Sequence, residues 1–119
     1  MMLVTYTGRK SGKKFVVPVN NSRQDNSLIT VSLRQRKWWR NLCAGAQVQL
    51  RLQGKDVRAF ATASVDDQTV AARLMDLVKL NPVYARYLQI GFDATSAPVL
   101  DDGLRAAGTR VVIRFDLES

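Results

Sequence analysis

The segment Gly8-Arg9-Lys10-Ser11-Gly12-Lys13 puts three cations and a hydroxyl into a tight turn with glycines at the first and fifth positions. Such a turn can direct backbone N–H groups, the Ser11 hydroxyl and cationic heads toward a phosphate. A plain turn accounts for both glycines equally well. It is not a P-loop, because that pattern needs four residues between its glycines and this one has three. Further on, Tyr84 and Tyr87 are three apart. On a helix they share a face and can enter one cavity, where a phenol can hydrogen-bond an acceptor oxygen or supply a proton. A purely structural pair would have the same spacing. Trp38 and Trp39, with Leu42 and Cys43, recur at helical spacing. We expect one indole in the core and the other at a pocket or a dimer interface. Cys43 is expected to be a small buried hydrophobe.

What the chain lacks excludes much chemistry. It has no histidine and a single cysteine. Ser-His-Asp and Cys-His catalysis, His-ligated metal sites and thiolate clusters are therefore out, and no metal is expected. Asp66-Asp67 and Asp101-Asp102 read as helix caps, not as an acid–base pair. An enzyme built from this inventory would take its chemistry from a bound cofactor. With one cysteine there is no intramolecular disulfide, which fits a cytoplasmic protein. No apolar run nears the roughly 18 residues of a membrane span, and Met1–Tyr6 has no basic n-region of a signal peptide.

The net charge is +8, and it is concentrated. Residues 1–40 hold nine basic side chains against one acid, Asp25, while the remainder balances at nine and nine. A solvated face explains many charge runs. Confining the whole excess to one segment favours an anionic partner, either nucleic acid or a small ligand with phosphate and carboxylate groups.

The elements that must position these residues follow from periodicity. Leu3–Thr7 and the alternating Phe15, Val17, Val19 predict a hairpin, with Pro18 marking an edge or a bulge. Asn20–Asn26 is expected to be a polar turn, and Ser27–Leu33 a third strand. Val48, Leu50 and Leu52, then Val57 to Val65, alternate as a second hairpin with one buried face. Asp66 or Asp67 caps a helix whose stripe is Val70, Leu74, Leu77 and Val78. Asn81-Pro82 opens another, Pro82 to Gln89. A short helix is expected at Asp101–Ala107, and Val111, Ile113, Phe115 and Leu117 form a sixth strand. The length of 119 residues is one domain, residues 1–119. Together these predict a mainly β, α+β fold: a six-stranded antiparallel barrel with the amphipathic helix over one opening.

Three stretches carry a family resemblance. Thr7-Gly8-Arg9-Lys10-Ser11-Gly12-Lys13 with Val17-Pro18-Val19 resembles the opening signature of the deazaflavin-dependent nitroreductase family. Trp38-Trp39-Arg40-Asn41-Leu42 is similar to that family's aromatic-aromatic-x-Asn-Leu helix. Pro82-Val83-Tyr84-Ala85-Arg86-Tyr87, with Arg110-Val111-Val112, resembles its C-terminal helix and last strand. The resemblance implies a split β-barrel of the flavin-reductase or pyridoxamine-phosphate-oxidase type, usually a homodimer. It also implies coenzyme F-420, a deazaflavin with a phosphate and an oligoglutamate tail, with FMN as the alternative. Cofactor contacts would fall on Arg9, Lys10, Ser11, Gly12, Lys13 and Pro18, and on Arg36, Lys37, Trp38 and Asn41. Tyr84 and Tyr87 would line the substrate side as the catalytic pair. Two departures stand out: a shorter loop between Val31 and Trp38, and an insertion from Gly91 to Gly108 that could cover or fill the pocket.

The expected activity is hydride transfer from the reduced coenzyme to a quinone, a nitroaromatic or an activated alkene. A non-catalytic barrel binding a cofactor or lipid is the alternative. A nucleic-acid-binding barrel fits the interleaved Tyr6, Phe15, Trp38 and Trp39, but leaves the three motifs unexplained.

Overall fold

The computed structural model describes residues 2–8, 10–24, 26–95 and 97–118. Its strands are β1 (Met2–Thr7), β2 (Lys14–Val19), β3 (Ser22–Gln24), β4 (Ser27–Leu33), β5 (Ala46–Leu52), β6 (Lys55–Ser64) and β7 (Arg110–Leu117). A 3-10 helix spans Trp38–Leu42, and three α-helices follow: α1 (Asp67–Leu80), α2 (Val83–Leu88) and α3 (Leu100–Ala107). The strands form one antiparallel sheet in the order β2-β1-β5-β6-β7-β4-β3.

That order forces the sheet to curl. Flat, seven neighbouring strands would hold β2 and β3 about 29 Å apart at the usual strand spacing. Yet only Asn20 and Asn21 link the two, and three Cα steps reach about 11 Å at most. The two edges therefore meet at this corner, where the Thr30 hydroxyl of β4 donates to the Asn20 carbonyl at 2.9 Å. The result is a half-barrel.

Alternation fills its concave side. Met2, Val4, Val17, Val19, Val48, Leu50, Ala61, Ile113 and Phe115 turn inward and pack with Trp38, Trp39 and Leu42. The 3-10 helix, packed against β6 and β7, thus lies against the inside of the sheet. Pro18 sits on β2, an edge strand, where its missing N–H costs no ladder bond.

Three expectations are corrected. The sheet has seven strands, not six: Ser22–Gln24 pairs with Ser27–Ile29, inside the segment expected to be a polar turn. This ladder is made by backbone, so its polar side chains gave no periodic signal. Nor does the amphipathic helix cover an opening. Val70, Leu74 and Val78 of α1 pack with Ile29 and Val112 on the outer face of β4 and β7. Both strands are apolar on two faces, as the run Val111-Val112-Ile113 requires, so both faces need cover. Cys43 is exposed, not buried. The 3-10 helix ends at Leu42, and its three buried side chains, Trp38, Trp39 and Leu42, take the inward positions.

The helical layer holds itself together. The Asp66 carboxylate accepts from the Thr69 N–H at 2.9 Å, capping α1. α3 packs closely on α1 at Gly103, where an added Cβ would lie 3.1 Å from Met75 Cγ.

Candidate active site

Two clefts meet at one side chain, Trp38. The first, about 350 Å³, lies between the β1–β2 hairpin and the 3-10 helix. Its aromatic walls are Tyr6, Phe15 and Trp38, and its polar groups are Lys10, Ser11, Lys37, Arg40 and Asn41. The hairpin register explains the aromatic end. Tyr6 and Phe15 are cross-strand partners on the inward face, and their rings stack with centroids 5.6 Å apart. The Tyr6 ring also meets Trp38 at 6.1 Å.

The second cleft runs along the other side of Trp38. One part is lined by Pro18, Asn20, Ser32, Arg36, Trp38 and Tyr87. It continues, sharing Asn20, Val31 and Tyr87, into a space of about 330 Å³ lined also by Asn81, Val83 and Tyr84. The spacing of three does put Tyr84 and Tyr87 on one cavity. The Arg110 guanidinium lies over the Tyr87 ring at 5.3 Å. Tyr84 is half-buried, and burial, with Tyr87 as a lesser cause, raises its phenol above the ordinary value, so it stays a protonated donor.

The shared wall is fixed from behind. Trp38 Nε1 donates to the Ser32 hydroxyl at 3.1 Å, and Asn41 Nδ2 donates to the Trp38 carbonyl at 3.0 Å. Trp39 is the core indole, donating through Nε1 to the Arg34 carbonyl at 3.3 Å. Both indoles are buried within the chain, and the expected split puts Trp39 in the core and Trp38 at a pocket.

The Gly8–Lys13 turn uses the backbone N–H groups of both its glycines internally. The Gly12 N–H is spent on the Gly8 carbonyl (2.9 Å) and the Gly8 N–H on the Lys13 carbonyl (2.7 Å). The Lys13 N–H reaches Ser11 Oγ at 3.3 Å. Gly12 has φ +69°, so its glycine serves the turn. What the turn offers the cleft is the side chains of Lys10 and Ser11; Gly12 and Lys13 do not line it. Arg9 lies outside the described residues. Arg36 and Lys37, neighbours in sequence, part at Trp38 into different clefts.

No carboxylate lines either cleft among the described residues. Lys10, Lys37 and Arg40 have no ion-pair partner among them either. Three uncompensated cations beside a hydroxyl and a wall of aromatic rings fit a flat group with phosphate and carboxylate substituents. Among the described residues there is also no cluster of metal-ligating side chains. The Gly91–Gly108 segment packs on α1 and lines neither cleft in its described part, so it does not fill the pocket.

Sequence reasoning missed Asn20 and Ser32 as lining residues, gave Arg40 no role, and left Tyr6 and Phe15 only as candidate stacking residues. Tyr6 and Phe15 were within reach, since the hairpin register pairs them. Asn20 and Ser32 enter only through the curl of the sheet.

These features define an α+β half-barrel with a cationic cleft and a phenolic cleft divided by one indole. The chain belongs to the F420H(2)-dependent quinone reductase family, whose model matches residues 1–100. The match takes in the basic turn, the tryptophan helix and both tyrosines, and ends at the start of α3. The family is defined by the deazaflavin coenzyme and lends no support to FMN. No curated protein matches the sequence. Among the described residues no helix is long and apolar enough to cross a membrane.

Proposed function

We propose that the chain is an oxidoreductase that uses reduced F-420 to reduce a quinone, with nitroaromatics and activated alkenes as further acceptors. The observation that carries this reading is the pair of clefts joined at Trp38, one cationic and without a carboxylate among the described residues, the other presenting two phenols. Lys10, Ser11, Lys37 and Arg40 would hold the phosphate and carboxylates of the coenzyme. Lys13 belongs to the same turn, and Arg9 adjoins Lys10 in the sequence, so both add positive charge to this segment. Tyr6, Phe15 and Trp38 supply flat surfaces against which a ring can lie. When bound, the coenzyme supplies a hydride.

The residues of the chain then orient, shield and donate. Trp38, fixed by Ser32, orients whatever lies on either side of it and excludes water from the contact. Tyr84, kept protonated by burial, can donate to an acceptor oxygen as negative charge develops there. Tyr87 stands beside it on the same cavity, under Arg110.

The half-barrel with Pro18 on its edge supports assignment to the split-barrel type. A homodimer is supported by the outer sheet face, where Leu3, Val16 and Phe60 are exposed, and by two open sheet edges. Cytoplasmic location is supported by the lone, unpaired Cys43. The test is anaerobic mixing of reduced F-420 with the protein and a soluble naphthoquinone. Recovery of the oxidised coenzyme's absorbance at a rate proportional to protein supports the proposal. Recovery no faster than without protein overturns it.

A further inference from the structure

Arg36 lines the cleft on the other side of Trp38 from Lys10, Lys37 and Arg40. Its backbone N–H closes a turn onto the Leu33 carbonyl at 3.1 Å, and its side chain lines the cleft that holds Asn20 and Tyr87. A guanidinium keeps its charge at any physiological pH. Among the described residues no carboxylate pairs with it, and none lines this cleft or its continuation toward Tyr84. Besides the guanidinium, the charged group among the described lining residues, the cleft gathers two phenols, the carboxamides of Asn20 and Asn81, and the hydroxyls of Thr30 and Ser32, which are engaged with the Asn20 carbonyl and the Trp38 indole. The apolar part of the wall comes from Pro18, Val19, Val31, Leu33, Val83 and Trp38.

We infer that Arg36 is a specificity residue of the acceptor cleft, selecting ring compounds that carry an anionic substituent. The apolar wall and Trp38 take the ring. The planar fork of the guanidinium takes a carboxylate, sulfonate or ionised hydroxyl through paired N–H donors. The phenols remain for the carbonyl oxygen. The inference rests on the reading of this cleft as the acceptor side. It moves Arg36 from the cofactor, where the family resemblance puts it, to the substrate.

Two probes of one ring system separate charge from shape: 1,4-naphthoquinone-2-sulfonate, anionic at every working pH, and neutral 2-methyl-1,4-naphthoquinone. Their dissociation constants are read by tryptophan quenching of the full chain. A Cys43→Ser background removes the exposed thiol that quinones alkylate. We expect the sulfonate to bind about three- to tenfold tighter than the neutral ring, the range of a partly exposed ion pair. Arg36→Gln should abolish the preference, while Lys37→Gln, one residue on but in the other cleft, should keep it. Equal affinities in the unsubstituted chain, no binding of either probe, or a preference that survives Arg36→Gln or vanishes with Lys37→Gln overturns the inference. Failure of the oxidoreductase reading looks different. Neither quinone is then reduced by F-420, while the Arg36-dependent preference persists and leaves an anion subsite standing.

Discussion

Trp38 Nε1 donates to the Ser32 hydroxyl across 3.1 Å, and this bond ties the wall shared by the two clefts to β4. The indole is 6% exposed, so water cannot replace Ser32 as its acceptor. Ser32→Ala should destabilise the fold by about 1–3 kcal/mol, the cost of a buried donor left without a partner. It should also weaken ligands in both clefts together. Urea unfolding checks the first effect. A change below about 0.5 kcal/mol would mean that the bond contributes nothing.

Arg34 belongs to the basic segment by sequence, yet its guanidinium serves the fold. Its Nη2 donates to the carbonyls of Val65 at 2.8 Å, Ala107 at 3.0 Å and Arg110 at 3.2 Å. It thereby joins the loop after β4 to the start of the helical layer and to β7. Arg34→Met should cost about 2 kcal/mol, since bonds from a charged donor are the stronger kind. Coenzyme affinity, measured on the folded variant, should change less than twofold. A stable variant with weakened coenzyme binding would place Arg34 in the site instead.

The fold also has an acid-sensitive tie. The Ser27 hydroxyl, nearly buried, donates to Asp116 Oδ1 at 2.7 Å, and Arg114 Nε reaches the same oxygen at 2.8 Å. The hydroxyl first, then Arg114, hold the Asp116 carboxyl below its ordinary value of 3.8. A lowered carboxyl stabilises the fold at pH above its unfolded value, and that contribution disappears as pH falls through the folded one. Denaturation midpoints taken from neutral pH to about pH 3 should therefore drop more steeply for the unsubstituted chain than for Asp116→Asn. Parallel curves would remove Asp116 from the account.

Much of the half-barrel was legible because its strands alternate. Val48, Leu50 and the Ala59–Ala63 series face inward as their spacing required, and Asp66 caps α1 as its position implied. The third strand escaped because Ser22–Gln24 carries no apolar pattern, while its pairing with β4 is a backbone ladder that any side chains can join. The place of α1 escaped for a topological reason: the outer face of β4 and β7 exists only once residues 77 to 89 positions apart pair. In the site, local motifs named Lys10, Ser11, Lys37, Trp38 and the two tyrosines. The separation of Arg36 from Lys37 could not be read, because the direction of each side chain is set at the turn into a five-residue 3-10 helix.

Tyr84→Phe and Tyr87→Phe should lower turnover while leaving coenzyme affinity unchanged, since neither lines the cationic cleft. Loss of a donor to a developing oxyanion typically costs about 10²- to 10³-fold in rate. Tyr84→Phe should have the larger effect, because its phenol is the more buried. Steady-state rates with a quinone check this. Full activity in both variants would make the pair structural, with the proton drawn from water.

The claim that the cationic cleft binds the coenzyme through its charged tail is tested most directly by a salt-dependent titration. Whole F-420 is compared with the same deazaflavin lacking phosphate and glutamates. Lys10, Lys37 and Arg40 are exposed, so each contact is modest, and replacing all three with alanine should weaken whole F-420 by roughly 10- to 100-fold. Affinity of the unsubstituted chain should fall as salt rises toward 1 M, where the screening length is about 3 Å. The tail-free deazaflavin should show a shallower slope and little response to the triple substitution. Identical binding of whole F-420 by the unsubstituted and substituted chains at every salt concentration would contradict the account.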